Sequence, residues 1–287
     1  MADDGAMAVP RRLWLCADDY GIAPGVNRAV RDLIGRGRLS ATSVMVTAPG
    51  FTVAEAQALA QAAREGGAAI GLHFTLTAPF RPASVAGAGA FPGLARTFAT
   101  GLRRGLDPGA LAREAASQFA LFAAAFGRPP DYVDGHQHVQ VLPQVGDALI
   151  AAMTRTAPGA WLRQCGRAVP PWRGLRDPKG LLIEALSVRL RRRCAQAGVA
   201  TNPAFAGTYD FRGMKDYEVL FTGFLDGLPD GGVVMCHPGF VDPELERLDA
   251  FTVMREREYA FFAGDRFAAV LAASGMALMR GGGTPVR

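Results

Sequence analysis

Short apolar runs alternate along the chain with longer stretches that have the spacing of amphipathic helices. The first run, residues 13–17, is followed by a polar turn that contains Gly21. Pro24 then stands where the next helix would begin, since proline is favoured in the first turn of a helix, and amphipathic spacing continues to Ile34. The chain is therefore predicted to open with a strand, a loop and a helix.

The same alternation continues to the end of the chain. A helix is predicted at residues 53–64, and further strands are predicted at residues 43–46, 70–76, 132–136, 161–163, 205–208, 233–236 and 277–279. Near-continuous apolar strands separated by helix-length segments are typical of a parallel sheet covered by helices. Seven or eight such units predict the α/β class and, within it, a distorted (β/α) TIM-like barrel with seven or eight mainly parallel strands.

We expect one domain over residues 12–287, preceded by a disordered or extended tail of residues 1–11. A single α/β barrel commonly has this length, and no segment has the composition of a linker. The least regular segment, residues 78–109, is rich in Gly, Pro and Ala and predicts a long loop with a short helix around residues 94–102. Long loops in compact domains are commonly functional or mobile, so we expect this one to cover the functional site.

The charge balance gives little support to a nucleic-acid partner. The chain has 31 Lys and Arg residues against 26 Asp and Glu residues, a formal charge of +5. Part of the excess lies in Arg189, Arg191, Arg192 and Arg193, where a solvated helix face is favoured over a patch for nucleic acid or anionic lipid. Neither interleaved aromatic residues nor a nucleic-acid motif accompanies them.

The cysteines and the N-terminus indicate a reducing compartment. The four cysteines form no CxxC pair, which argues against a zinc knuckle and a disulfide framework and predicts free thiols. The first ten residues carry Asp3 and Asp4 and lack the basic start and apolar stretch of a signal peptide, so we expect a cytoplasmic protein. The longest hydrophobic run, residues 119–126, is about half of what a membrane span needs and predicts a buried helix.

Ionisable residues gather at the predicted C-terminal ends of the strands. They are Asp18, Asp19, His73, His136, His138 and His237, and they include all four histidines of the chain. In a parallel barrel these strand ends converge on one face, so we expect the side chains to share one pocket.

An aspartate with two neutral imidazoles can hold a divalent cation while leaving positions open for water and substrate. A second carboxylate outside the coordination shell can then remove a proton from the attacking water. The adjacent Asp18 and Asp19 could divide these roles, provided that the chain turns there, as Gly21 permits.

The segment Asp134-Gly135-His136-Gln137-His138 adds further candidates. If the strand continues through it, Asp134, His136 and His138 lie on one face. We assign His136 to the metal and His138 to a neighbouring or substrate-contacting position. Asp134 is a possible orienter of an imidazole through its distal N–H.

Each feature also has a purely structural interpretation. The two aspartates could form a turn and a helix cap, His73 could be a satisfied core residue, and the Cys236-His237-Pro238-Gly239 segment could be an ordinary strand end. Their combination favours a shared cation, because buried charges without a partner are costly.

Four motifs in order, ADDYG, GLHFTLT, VDGHQHVQVLP and MCHPGF, resemble those of the YdjC-like carbohydrate deacetylases. That family includes chitooligosaccharide deacetylases and hopanoid-associated members, and the resemblance runs from about residue 12 to 240. It implies a distorted barrel, commonly a homodimer, that binds one divalent metal ion, with magnesium or zinc favoured. It also implies removal of acetyl groups from N-acetylglucosamine-type sugars, in an oligosaccharide or a glycolipid.

The resemblance also implies residue roles: Asp19, His73 and His136 as metal ligands, Asp18 as general base, and His237 as the acid that protonates the leaving amine. Arg163 resembles a position at the pocket wall that orients substrate, and a surface salt bridge is its structural alternative. Gln140 stands where many relatives carry a third histidine, and Gln137 where some carry one, so substrate contacts are expected to differ.

Two other functions fit the same residues. One is a metal-dependent amidohydrolase or esterase that acts on another acylated small molecule or a lipid-linked sugar. The other is a non-catalytic sugar- or metal-binding homologue that retains the fold. Acetate release from a panel of acylated compounds distinguishes the three.

Overall fold

A computed structural model of the chain describes residues 9–168, 178–210 and 214–281. Its eight strands are β1 (Arg11–Tyr20), β2 (Ala41–Val44), β3 (Ala69–Phe74), β4 (Tyr132–Gly135), β5 (Trp161–Leu162), β6 (Phe205–Ala206), β7 (Gly232–Cys236) and β8 (Met276–Leu278). They form one sheet in the order β5-β4-β3-β2-β1-β7-β6, with β8 beside the first residues of β1, and every pairing is parallel. The predicted α/β distorted barrel is confirmed.

The barrel closes where the two edge strands, β5 and β6, approach each other. Isolated parallel bridges join Leu162 to Thr201 and Arg167 to Phe205. The Phe205 N–H also donates to the Gly166 carbonyl at 2.9 Å. The sheet therefore curls round on itself, although the seam has far fewer ladder hydrogen bonds than the rest.

Helices cover the outside of the sheet. They are α1 (Pro24–Gly35), α2 (Val53–Gly66), α3 (Leu94–Leu102), α4 (Pro108–Phe126), α5 (Pro143–Thr156), α6 (Pro178–Ala197), α7 (Tyr217–Leu225), α8 (Pro243–Leu248), α9 (Arg255–Ala263) and α10 (Asp265–Ala273). A 3-10 helix, His136–Val141, follows β4 directly. No helix among the described residues is long and apolar enough to span a membrane.

The first helix shows why the sequence folds in this way. Pro24 occupies the first turn of α1, and Val26, Val30 and Leu33, three or four positions apart, are buried against the sheet. This spacing places all three on one face of the helix. The helix therefore lies on the sheet by its apolar face, as its pattern predicts.

Aromatic side chains fill the barrel beneath the polar strand ends. Trp161 of β5 stacks on Tyr132 of β4, with ring centroids 4.6 Å apart, and its ring lies 5.8 Å from that of Trp14 of β1. Because β1 and β5 are separated by three strands in the sheet, this last contact crosses the interior. The polar residues at the strand ends therefore lie directly over a packed layer of aromatic side chains.

Other sequence predictions have mixed outcomes. The prediction of a buried helix at residues 119–126 is wrong in part, because α4 buries Phe119 and Phe122 but leaves Leu121 43% exposed. The four cysteines are free, as predicted, and all four are buried. Residues 1–8 of the predicted tail lie outside the described residues, and the domain limits stay a prediction.

Candidate active site

The residues predicted to carry chemistry meet at the C-terminal ends of the strands. They come from five strands: Asp18 and Asp19 from β1, His73 from β3, Asp134 from β4, Arg163 after β5 and His237 after β7. The register of β3 with β4 places His73 directly opposite Asp134. Positions far apart in the chain are thus brought together by the parallel topology.

A break in β1 lets two adjacent aspartates face the same side. The register of β1 with β2 shifts between Ala17 and Tyr20, and Asp19 has a left-handed backbone, with φ of 67°. Aspartate is one of the few residues other than glycine that adopts this conformation at modest cost. The turn that was expected at Gly21, whose φ is 98°, therefore begins two residues earlier, at Asp19 itself.

Three side chains converge as a set of metal ligands would. Asp19 Oδ1 lies 3.0 Å from His136 Nδ1 and 3.3 Å from His73 Nε2. One oxygen or nitrogen from each of the three lies within 4.8 Å of the others. Donors at this spacing can all reach one ion at the usual ligand distances of about 2.0–2.2 Å.

The ring of His73 is oriented from behind. Its Nδ1 lies 2.6 Å from Asp134 Oδ1 and 3.0 Å from Ser43 Oγ, which leaves Nε2 facing Asp19. Burial alone would lower the pKa of His73, but the charges of Asp134 and Asp18 outweigh it and raise the pKa to about 10. The surroundings of this ring therefore stabilise positive charge.

Asp18 is held by a buried guanidinium. Arg163 Nη1 donates to Asp18 Oδ1 at 2.6 Å and Nη2 donates to Oδ2 at 2.7 Å. Burial would raise the pKa of Asp18, but the charges of Arg163 and His73 keep it below its usual range. Arg163 has no exposed surface, so its interpretation as a surface salt bridge is wrong.

Asp134 joins these two pairs. Its Oδ2 lies 2.8 Å from Arg163 Nη1, while Oδ1 faces His73. Asp134 is fully buried, as is Arg163. Both side chains therefore lie behind His73 and Asp18. Asp134 contacts an imidazole, as an orienting residue would, whereas Arg163 contacts Asp18 and does not lie at the position expected for a substrate contact.

His237 is the first residue after β7 and is half-buried. Ala17 of β1 lies opposite Cys236 of β7, the last pair of this ladder, and Asp18 and His237 are the residues that follow the two. Their side chains interact electrostatically. An acid and a base candidate therefore lie at the ends of neighbouring strands.

Helix α9 contributes two residues that the sequence analysis missed. Arg255 Nη2 lies 2.6 Å from Asp19 Oδ2, and Glu258 accepts a hydrogen bond from the backbone N–H of His237. Both side chains are buried, and burial raises the pKa of Glu258. The segment Arg-Glu-Arg-Glu has the composition of a solvated helix, and nothing in it distinguishes the two buried charges from the two others.

His138 does not share a strand face with Asp134 and His136. The strand ends at Gly135, and Gln137 and His138 both have left-handed backbones, with φ of 55° and 62°. The expected alternation is therefore wrong, because it assumed that the strand continued.

The chain after this turn is packed against the neighbouring strand ends. The His138 Nδ1 atom lies 3.6 Å from Cys165 Sγ, and burial, with the charge of Arg163, lowers the pKa of His138 to about 3. Gln140 is buried and donates to the Arg163 carbonyl at 3.2 Å. Gln137 is exposed.

The irregular segment, residues 78–109, reaches the edge of the site. Phe80 is buried, and its ring meets the His136 ring edge-on at 5.5 Å. The carboxylate of Glu114 on α4 accepts hydrogen bonds from the backbone N–H groups of Ala83 and Ser84, both at 3.0 Å. The segment is thus fastened to α4 and contacts one of the candidate ligands.

Comparison with known proteins agrees with this architecture. A chitooligosaccharide deacetylase from Yersinia pestis (strain Pestoides F) is 30% identical to this chain over 247 residues, which is 80% of this chain and 82% of the relative. A solved structure described as a candidate cellobiose-phosphate cleavage protein, from Enterococcus faecalis V583, has a TM-score of 0.70 at 20% identity and covers 94% of this chain and 97% of its own. A lactam utilization protein from Thermus thermophilus has a TM-score of 0.51 at 16% identity, with 94% and 99% covered.

The two solved structures establish the shared fold alone. A family model described as YdjC-like protein matches residues 12–273. This match covers nearly all of the described residues and includes every strand end of the site. The chain therefore belongs to the YdjC-like protein family.

Proposed function

We propose that the protein hydrolyses the N-acetyl group of an N-acetylglucosamine-type amino sugar, in an oligosaccharide or a glycolipid, and releases acetate. Two findings support this. Asp18 and His237, the candidate base and acid, lie at the ends of neighbouring strands, and Asp19, His73 and His136 form a group that could hold a metal ion. The Yersinia pestis relative is a chitooligosaccharide deacetylase.

A divalent ion would be held by Asp19, His73 and His136. A second cluster of suitable atoms, from Cys16, Asp18 and Asp134, is a poorer candidate, because the Arg163 guanidinium already lies between these side chains. Two imidazoles and one carboxylate suit zinc better than magnesium, which prefers oxygen ligands. When bound, such an ion polarises the acetamide carbonyl and acidifies water.

The remaining steps belong to the side chains. Asp18, kept ionised by Arg163, accepts the proton of the attacking water through a lone pair that the guanidinium leaves free. His237 donates a proton to the nitrogen of the leaving amine, which would otherwise depart as a very unstable anion. His138, kept neutral by burial, contacts the sugar, and Arg163 and Asp134 act through Asp18 and His73.

The main support for this proposal is that Asp18 and His237 lie at neighbouring strand ends, close to the proposed metal ligands. A binding protein has no need of such a pair, which favours a hydrolase. Another acylated small molecule would be hydrolysed by the same groups, so the nature of the sugar rests on the relative. A homodimer and a cytoplasmic location stay predictions, to be checked by light scattering and by cell fractionation.

The test is acetate release by metal-loaded protein from chitooligosaccharides, acetylated nucleotide sugars, glycolipids and simple acetate esters. Asp18→Asn and His237→Ala are expected to lose turnover while they keep one ion per chain, whereas His73→Ala is expected to lose the ion. Arg189→Gln, on the outer helix α6, is the control and should behave as wild type. Wild-type rates in Asp18→Asn, or release from the esters alone, would contradict the proposal.

A further inference from the structure

Arg255 lies in an unusual position for an arginine. Its side chain is 3% exposed, and its Nη2 atom lies 2.6 Å from Asp19 Oδ2 and 2.6 Å from Asp249 Oδ2. Its backbone carbonyl accepts a hydrogen bond from the Gly239 N–H at 3.1 Å, which ties the start of α9 to the loop after β7. Arg255 is therefore held in place both by its backbone carbonyl and by its guanidinium group.

This contact gives the two oxygens of Asp19 different partners. Oδ1 faces the ring nitrogens of His136 and His73, at 3.0 and 3.3 Å, while Oδ2 is bonded to Arg255. If Asp19 rotated to present both oxygens to the imidazole side, it would break a buried ion pair. Only one oxygen is thus available to the ligand cluster.

Only part of the Arg255 guanidinium is hydrogen-bonded. Among the described residues, Nε and Nη1 of Arg255 have no hydrogen-bond partner. A buried guanidinium with two unsatisfied nitrogens is unfavourable, and an apolar side chain at this position would avoid the cost. Arg255 therefore contributes through its positive charge and through its hydrogen bond to Asp19.

On the basis of the proposed metal site, we infer that Arg255 is a positioning residue that keeps Asp19 a one-oxygen ligand and weakens the hold of the site on the ion. A one-oxygen ligand leaves a coordination position for water and substrate. The nearby positive charge lowers the affinity for a cation by direct repulsion. Asp249, 18% exposed, reduces this repulsion because its carboxylate shares Nη2.

The inference predicts opposite signs for two substitutions in one hydrogen-bonded group. Arg255→Gln removes the positive charge and frees Oδ2, so the ion should bind more tightly while turnover falls. Asp249→Asn leaves the positive charge of Arg255 less balanced, so the ion should bind more weakly. A residue that only stabilised the fold would loosen the site in both variants.

The experiment measures zinc affinity of metal-free protein by competition with a chelator at one fixed pH. The expected dissociation constants are about tenfold lower for Arg255→Gln and about tenfold higher for Asp249→Asn, a shift of the size that residues next to metal ligands produce. Arg189→Gln and Asp147→Asn make the same charge changes in an outer ion pair and should bind zinc as wild type does.

Weaker binding in both variants, or wild-type affinity in both, would overturn the inference while leaving the metal site standing. A wild-type protein that binds no zinc and no other divalent ion would overturn the metal site and the inference together. Should Arg255→Gln not fold, Arg255→Lys decides the question. It keeps the charge, so affinity close to wild type in Arg255→Lys, together with weaker binding in Asp249→Asn, supports the inference. A clear loss of affinity in Arg255→Lys, or wild-type affinity in both variants, contradicts it.

Discussion

Asp18 and Arg163 are 145 positions apart in the chain and form a two-bond ion pair at the top of the barrel, with N···O distances of 2.6 and 2.7 Å. Both side chains are buried. The planar fork of a guanidinium fixes the plane of a carboxylate in a way that a single ammonium cannot. The pair therefore determines which way the proposed base points.

Replacing Arg163 by lysine tests this geometry while conserving the charge. Arg163→Lys is expected to lower the free energy of unfolding by about 1–3 kcal/mol, because buried hydrogen-bond acceptors lose their donors. Turnover should fall while zinc affinity is largely kept. Urea unfolding and acetate release measure the two effects. Arg189→Lys is the control, since its pair with Asp147 is 30% exposed on both sides, and equal effects in both variants would contradict the assignment.

Asp134 is expected to act on metal binding through His73. Asp134→Asn removes the negative charge 2.6 Å from His73 Nδ1 and weakens the orientation of the ring. Zinc affinity should fall about 10- to 100-fold, as for other partners of metal-bound histidines. Asp107→Asn, at the N-terminus of α4, is the matched control, because asparagine caps a helix as well as aspartate does. An unchanged zinc affinity in Asp134→Asn would count against the ligand role of His73.

The cysteines should be unreactive in the folded protein. All four are buried, and burial raises the pKa of Cys165 and of Cys194 to about 12. Because the thiolate is the reactive form, a thiol reagent at mildly alkaline pH should label none of them in the native state and all four after denaturation. Rapid labelling of one native thiol would show that its neighbourhood opens readily.

The ion pairs of Asp147 with Arg189 and Arg193 on the outside of the barrel should make the free energy of unfolding depend on pH in the acid range. Partial burial would raise the pKa of Asp147, but hydrogen bonds from Arg189 and Arg193 keep it below its usual value. Because the folded-state pKa is the lower one, the pair stabilises the fold above the unfolded value of about 3.9, and this contribution is lost as the pH falls through the folded-state pKa.

Asp147→Asn should therefore be less stable than wild type at neutral pH by about 0.2–1 kcal/mol, the usual range for a partly exposed pair. The difference should shrink towards zero as the pH falls below the folded-state pKa. Chemical unfolding at several pH values follows it. A difference that stays constant over the whole range would mean that Asp147 contributes packing and not charge.

The site residues at the strand ends could be predicted because each lies next to an apolar run in the sequence. Apolar runs that end in Asp18, His73 and His237 are visible in the sequence, and parallel pairing then brings them together. The buried partners Arg255 and Glu258 could not be predicted, because Glu256 and Arg257 beside them look the same and only tertiary packing separates the two pairs.

The segment after β4 shows a second limit. The alternation of His136 and His138 suggested a continuing strand, but the left-handed backbones of Gln137 and His138 end it at once. Such conformations are uncommon outside glycine and leave no mark on hydrophobic periodicity. The His136 ring nevertheless reaches Asp19, through a turn and not through a strand.

The three proposed ligands differ in how far water can reach them. The side chain of His136 is 13% exposed, against 4% for Asp19 and 1% for His73, and the ring of Phe80 lies against its edge. An ion held by these side chains would therefore enter and leave by way of His136. The ion would then pass close to the ring of Phe80, so the size of a side chain that coordinates nothing would affect the rate of exchange with bulk solution and leave the affinity unchanged.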